Sequence, residues 1–253
     1  MKKLALSITA AVGLLFSAST ASAAEGVAIP EQDWSFSGFF GTYDREALQR
    51  GFQVYEQVCS SCHSLRLVAF RNLSELGYND AEIRAIAADY TVEDGPNDEG
   101  NMYERDAEAS DKFPPPFPNE EAARAANGGA YPPDLSLMAK ARAGGPDYLY
   151  ALLTGYEEAP EDVEMMQGMY YNEYFPGHQI AMAPPLSEGI VEYADGTEAT
   201  VSQMSADVSE FLMWTAEPKL EDRKQMGIKV ILFLLVFTGL IYAAKRKLWA
   251  NLH

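Results

Sequence analysis

Cys59-Ser60-Ser61-Cys62-His63 is the stretch from which the rest of the chain is read. Cys-x-x-Cys-His is the attachment signature of c-type haem. Two thiols three positions apart reach the two vinyl groups of one porphyrin as thioethers, and the adjacent imidazole points at the iron. Other uses of the pair fit less well. A thioredoxin-like redox pair belongs in a βαβ setting, whereas these cysteines close an amphipathic helix. Structural zinc needs further ligands at matching spacing, and the chain has only 2 cysteines, with His178 and His253 standing alone. A disulfide across two residues would be strained and would close almost no loop.

Working outward, Asp44 can cap a helix from about Arg45 to Cys59, with Leu48, Phe52, Tyr55 and Val58 at helical spacing. Asn79-Asp80 opens another, carrying Ile83, Ile86 and Ala87. Residues 91–120 read as an acidic loop ending in the proline-rich run 113–118, where helix is forbidden. A short helix is predicted over Glu120 to Ala126, stopped by Asn127-Gly128-Gly129. Two more follow, Leu135 to Ala143 and Asp147 to Thr154, separated by Gly144-Gly145-Pro146. Residues 156–180 read as a second acidic, aromatic-rich loop. Asp195-Gly196 between 190–193 and 197–200 signals a hairpin. Ser205 or a neighbour caps a last helix, with Val208, Phe211, Leu212 and Trp214 on its apolar side and Glu217-Pro218 at its end.

Both ends of the chain read as addresses. Residues 1–23 have a secretory signal's plan: Lys2 and Lys3, an apolar stretch from Leu4 to Phe16, and Ala21-Ser22-Ala23 as the cleavage site. Met226 to Ala244 is apolar and, as a helix, spans roughly 28 Å, close to a hydrocarbon core. Lys229 near its start can snorkel, and Lys245-Arg246-Lys247 with Trp249 follow. The positive-inside rule puts that tail in the cytoplasm. The expected organisation is therefore a signal peptide (1–23), a periplasmic haem domain (24–218), a linker (219–225), one transmembrane helix (226–244) and a cytoplasmic tail (245–253). The localisation is the inner membrane of a bacterium.

His63 fills one axial position of the iron. His253 lies across the expected membrane from the haem. His178 and the methionines remain for the other position. Met182, in Ala181-Met182-Ala183-Pro184-Pro185, sits in a proline-stiffened loop and is favoured over His178. Met138, Met165, Met166 and Met169 stay behind both. His/Met ligation raises the potential and suits electron transfer.

Composition narrows the class. Of 253 residues, 19 are Lys or Arg and 37 Asp or Glu, a formal net charge of −18. Nucleic-acid binding needs a basic footprint and is excluded as an expectation. A basic protein partner suits this surface. Glu93, Asp94, Asp98, Glu99, Glu104, Asp106, Glu108 and Asp111 form one acidic cluster, and Glu157, Glu158, Glu161, Asp162 and Glu164 another.

A wider pattern then joins the motif: Arg50-Gly51-Phe52-Gln53-Val54-Tyr55, Val58 through His63, and Ala122 through Asn127. It continues with Pro132-Pro133-Asp134-Leu135-Ser136, Ala141-Arg142, Ala181 through Pro185, Phe211 through Trp214, and Ala216-Glu217-Pro218. In this order, with one C-terminal anchor, the chain resembles the cytochrome c1 family, the haem-bearing subunits of cytochrome bc1 (quinol:cytochrome c reductase) complexes. The resemblance implies a mainly α, cytochrome c-like haem domain with long loop insertions and a small β-hairpin, plus one C-terminal transmembrane helix. It implies Cys59 and Cys62 as thioether attachments, His63 and Met182 as axial ligands, and Arg142 on a haem propionate. Tyr148, Asn127 and Pro133 would line the pocket.

By the same resemblance, the chain is an electron-transfer subunit. It would receive electrons from a Rieske iron–sulfur protein, pack its helix beside cytochrome b, and reduce a c-type cytochrome. The alternative is another membrane-anchored monohaem cytochrome c, serving a terminal oxidase or other periplasmic redox enzyme. A haem sensor or peroxidase with a vacant axial site, and a thiol oxidoreductase, are further classes. Some bacterial family members carry an extra cysteine pair near the distal-ligand loop. This chain lacks it, which leaves open what holds that loop rigid.

Overall fold

A computed structural model describes residues 27–250. The expected signal at 1–23 and His253 lie outside the described residues. The helices are α1 (Arg45–Gln57), α2 (Asp80–Ala88), α3 (Glu120–Ala126), α4 (Met138–Ala141), α5 (Gly145–Thr154), α6 (Val201–Ala216) and α7 (Leu220–Trp249). Two small antiparallel ladders join β1 (Thr91–Asp94) to β2 (Tyr103–Asp106) and β3 (Tyr170–Tyr171) to β4 (Gln179–Ile180). The domain is mainly helical, as expected.

Helix starts follow side-chain caps. Asp44 Oδ1 accepts from the amides of Glu46 and Ala47. Asn79 accepts from Ala81 and Glu82 while Glu82 returns a bond to its amide, a capping box. Leu48, Phe52 and Tyr55 are buried as their spacing required.

The core is built where α1 crosses α6. A Cβ on Gly51 would meet the Asp207 carbonyl oxygen at 2.1 Å and Phe211 Cβ at 2.7 Å, so the backbones touch where only hydrogen fits. Phe52 and Tyr55 then pack on Phe211, and Phe211 on Trp214. Beside the crossing, Arg50 grips the buried Asp207 with Nε and Nη2, both at 3.0 Å, and reaches Asp195 with Nη1 at 2.9 Å. The fork geometry and the two carboxylates satisfy a guanidinium that is mostly withdrawn from water.

Several boundaries differ from the expectation. No hairpin forms around Asp195-Gly196. The pair does turn, with the Gly196 amide on the Tyr193 carbonyl, but Asp195 is taken by Arg50 and Thr200 caps α6 by accepting from the Gln203 amide. The hairpins lie instead within residues 91–106 and 170–180, which had read as loop. In the first, Arg105 holds Asp94 and Asp111, offsetting acidic side chains that hide its strand pattern. Helix α6 starts at Val201, earlier than a Ser205 cap allows. Ser205 lies inside it, its hydroxyl donating to the Val201 carbonyl. Helix α4 covers only part of 135–143, because Leu135 donates its amide to the Ser64 carbonyl and Asp134 holds the Ser136 amide. Residues 220–225 are not an extended linker but the first turns of α7.

Helix α7 is the one described helix long and apolar enough to cross a membrane, and its apolar window is unburied by the rest of the chain. Gly51→Ala is expected to cost about 1–3 kcal/mol through the forced separation of α1 and α6. A lowered urea midpoint of the soluble domain checks this. An unchanged midpoint would mean that the helices do not cross so closely.

Candidate functional site

Helix α1 ends at Gln57, and the chain tightens into a 3₁₀ turn over Cys59–Ser61. The amides of Cys62 and His63 both donate to the Cys59 carbonyl, at 3.1 and 2.8 Å. Ser60 and Ser61 turn their hydroxyls back onto the Glu56 and Val58 carbonyls. The turn therefore has a fixed shape set by short-range bonds. Both cysteines are free thiols and half-buried. Burial, with Cys62 alongside, pushes the Cys59 thiol up to about 12.

His63 is aimed by a carbonyl. Its Nδ1 lies 2.8 Å from the Pro133 oxygen, across 70 positions of sequence. Burial lowers its proton affinity, against that carbonyl and Asp134, which favour the charged ring. A neutral ring donating from Nδ1 carries its lone pair on Nε2, the form a metal takes. Tyr55 donates to the His63 carbonyl at 3.2 Å and fixes the backbone behind it.

The segment that supplies Pro133 is tied to the motif by Asp134. Its Oδ2 accepts from Ser64 Oγ at 2.7 Å, the Arg66 amide at 2.9 Å and Arg66 Nε at 3.3 Å, while Oδ1 accepts from the Ser136 amide at 3.0 Å. Buried Ser136 in turn accepts from the Leu67 amide. Sequence reading placed Pro133 in the pocket but overlooked Asp134 and Ser136 as its supports. An Asp just after two prolines was the available signal. An opening of about 170 Å³ borders Cys62, walled by Pro115, Phe117, Tyr131 and Pro132 among others.

A second group gathers around Met182, which is half-buried in the loop after β4. Tyr156 Oη donates to the Met182 carbonyl at 3.0 Å. Burial raises both the Tyr156 and the Tyr148 phenol; Tyr148 adds to the rise at Tyr156, and Arg142 partly opposes the rise at Tyr148. Arg142 itself is exposed at the end of α4, with only a 3.4 Å bond to the Ala141 carbonyl and no carboxylate partner among the described residues. Asn127 remains at the end of α3, its side-chain amide on the Ala123 carbonyl, and touches neither group by a hydrogen bond.

The loop's rigidity comes from Asn172, which is 0% exposed. Its side chain donates to the Leu152 carbonyl and accepts from the amides of Tyr174 and Phe175. A bridge pairs Asn172 with Tyr156, so the residue that holds the Met182 backbone is itself held. Gly155 lies against the Tyr174 ring, where a Cβ would come within 2.5 Å. This network ties the loop to the C-terminal part of α5 through Leu152. His178 is absorbed by the same loop: its φ is +60°, its ring stacks on Tyr171, and its Nδ1 faces the Asn172 carbonyl.

The donor set thus fits a covalently held haem. It offers two unpaired thiols in a fixed turn, an imidazole with one nitrogen pinned, an unpartnered guanidinium and a thioether on a stiffened loop. The Cytochrome C1 family model matches residues 34–252. The chain is 54% identical to "Cytochrome b/c1" of Bradyrhizobium diazoefficiens, over 88% of this chain but only 36% of that longer protein. It is 51% identical to "Cytochrome c1-2, heme protein, mitochondrial" of Solanum tuberosum, over 95% of this chain and 94% of the relative. It is 48% identical to "Cytochrome c1" of Rhodospirillum rubrum, over 89% of each.

Asp134 supplies the pH test. Burial pushes its carboxyl up, but the bonds from Arg66, Ser136 and Ser64 outweigh it and hold the group below its ordinary value of 3.8. A depressed folded value stabilises the fold above the unfolded pKa, and the benefit is lost as pH falls through the folded value. Asp134→Asn is therefore expected to lower the unfolding midpoint at pH 7. The gap from the parent should close as the pH is taken below 3.8. A gap independent of pH would remove the charge from the account.

Proposed function

The chain belongs to the cytochrome c1 family, and on that premise we propose that it is the haem-bearing electron carrier of a cytochrome bc1 complex. Membership implies a haem c cofactor and a place in the complex with cytochrome b. Together with α7 it makes the chain membrane-anchored. Relatives named as cytochrome c1 on both the bacterial and the mitochondrial side favour this reading over an anchored cytochrome c of another enzyme.

The finer assignments are those the family resemblance implies, and the residues support them in part. Cys59 and Cys62 hold the porphyrin as thioethers, which keeps it attached in an exported domain without a large dry cavity. His63 offers Nε2 to the iron, and the Pro133 carbonyl keeps the ring from rotating away. Met182 offers its thioether from a loop that Tyr156 and Asn172 hold still. Little reorganisation is then needed between oxidation states. Arg142 offsets a propionate, and Tyr148, Asn127 and Pro133 line the pocket. Bound haem c would supply a reversible one-electron couple, held by Cys59, Cys62, His63 and Met182.

In this reading the chain takes single electrons from a Rieske iron–sulfur protein and passes them to a c-type cytochrome. The soluble domain faces the periplasm of a bacterium, with the inner membrane crossed by α7 and the C-terminus in the cytoplasm. The domain limits are those of the sequence, except that the anchor helix begins at Leu220. The acidic loops steer a basic acceptor. Arg105 occupies Asp94 and Asp111, so Glu93, Asp98, Glu99, Glu104, Asp106 and Glu108 carry the available charge of the first loop. The observation that carries the proposal is the pinned imidazole beside two free thiols, in a chain of this family.

Met182→Leu in the intact membrane complex is expected to abolish the low-spin optical spectrum and lower the potential sharply. An unchanged spectrum would remove Met182 from the iron. Turnover with a basic c-type cytochrome is expected to fall steeply as salt rises. A flat response would count against docking by the acidic loops.

A further inference from the structure

Helix α7 does not hang from the soluble domain on a loose tether. Residues 34–45 grip its approach and its first turns. Tyr43 Oη donates to the carbonyls of Met213 and Glu217, at 3.3 and 3.1 Å. One turn on, Glu221 accepts from the Tyr43 amide and from Arg45 Nη2, both at 2.9 Å. A turn further, Lys224 Nζ donates to the carbonyls of Phe36 at 2.6 Å and Gly41 at 3.0 Å. The contacts that flank the loop tip, at Phe36 and Gly41, are the ones that reach furthest along α7, to Lys224. Gly38-Phe39-Phe40 lies between these two contacts in the chain.

The loop is rigid at its root and apolar at its tip. Trp34 and Phe36 are buried and stacked at 5.6 Å, and Phe36 packs on Tyr43 at 5.2 Å. The Thr42 amide closes the loop on the Ser35 carbonyl at 3.2 Å. Gly41 fits where a Cβ would come 2.0 Å from the Ser37 carbonyl oxygen. Against this anchored base, Phe39 is 53% and Phe40 80% exposed, with their rings edge-to-face at 5.0 Å. The stretch 36–41 carries no charge, in a chain of net charge −18.

Lys224 precedes Met226 by two residues, about 3 Å of helical rise. The polar layer on each side of a bilayer is roughly 5–7 Å deep. We propose that Gly38-Phe39-Phe40 seats in the interfacial layer of the bilayer that α7 crosses, with lipid as its occupant. Two adjacent exposed phenylalanines on an uncharged turn are the chemistry that partitions to that boundary. The wedge and α7 together form a two-point mount that fixes the height and tilt of the soluble domain above the membrane. The inference rests on the membrane-anchored reading of α7, and its failure is distinguishable from the failure of that reading.

The test places a photo-reactive residue, Phe40→p-benzoylphenylalanine, in the full complex in its native membrane. The site is exposed, so the substitution leaves the packed root untouched. Irradiation is expected to give an adduct on this chain with the mass of a phospholipid. An adduct to another polypeptide, cytochrome b included, would overturn the inference by assigning the tip to a protein partner. So would the absence of any adduct while Phe233→p-benzoylphenylalanine, within α7, labels lipid in the same preparation. Retention of the chain in the membrane pellet after alkaline carbonate extraction tests the anchor itself.

Discussion

Helices α1 and α6 approach until the Gly51 backbone rests on the Asp207 carbonyl, and both ends of the molecule's function grow from that contact. The C-terminal end of α1 delivers Cys59, Cys62 and His63 in one tight turn. The C-terminal end of α6 passes through Glu217 almost directly into α7. There Lys140 from α4 and Arg223 from α7 meet on the Glu217 carboxylate, Arg223 at 2.5 Å. The crossing thus sets the position of the cysteine motif relative to the membrane helix. Arg50, bound to both Asp207 and Asp195, locks the crossing with charge-assisted bonds that a shifted helix would break.

The site is two supported halves rather than a single cluster. One half is the cysteine turn with His63, held from opposite the chain by Pro133, Asp134 and Ser136. The other is Met182 with Tyr156, braced by buried Asn172. In the first half the His63 ring is aimed by the Pro133 carbonyl; in the second the Met182 backbone is held by the Tyr156 hydroxyl. The proposed haem site draws on both halves, and the family membership of the chain supports the haem.

What was legible in the sequence was whatever depends on near neighbours. Asp44 and Asn79 announce α1 and α2 because each cap bonds amides within three residues; the Asn119 cap of α3 came only from the structure. The cysteine motif is legible because its chemistry is fixed by spacing alone. The prolines after Met182 favour it over His178, and its role remains a proposal. What was hidden depends on distant partners. Asp195-Gly196 looks like a hairpin until Arg50 and the capping role of Thr200 take its flanks. The β1–β2 ladder is masked by acidic residues that Arg105 offsets. Asn172 gives no local sign that it braces a loop, since its partner at Leu152 lies 20 positions away.

Intact-mass spectrometry of the chain, purified from a host with competent haem-maturation machinery and fully denatured in acid, tests the central claim most directly. The account predicts that the denatured polypeptide keeps the added mass of one haem, and that Cys59→Ser with Cys62→Ser loses it. A denatured chain with the mass of the polypeptide alone, free of iron and colour, would contradict it.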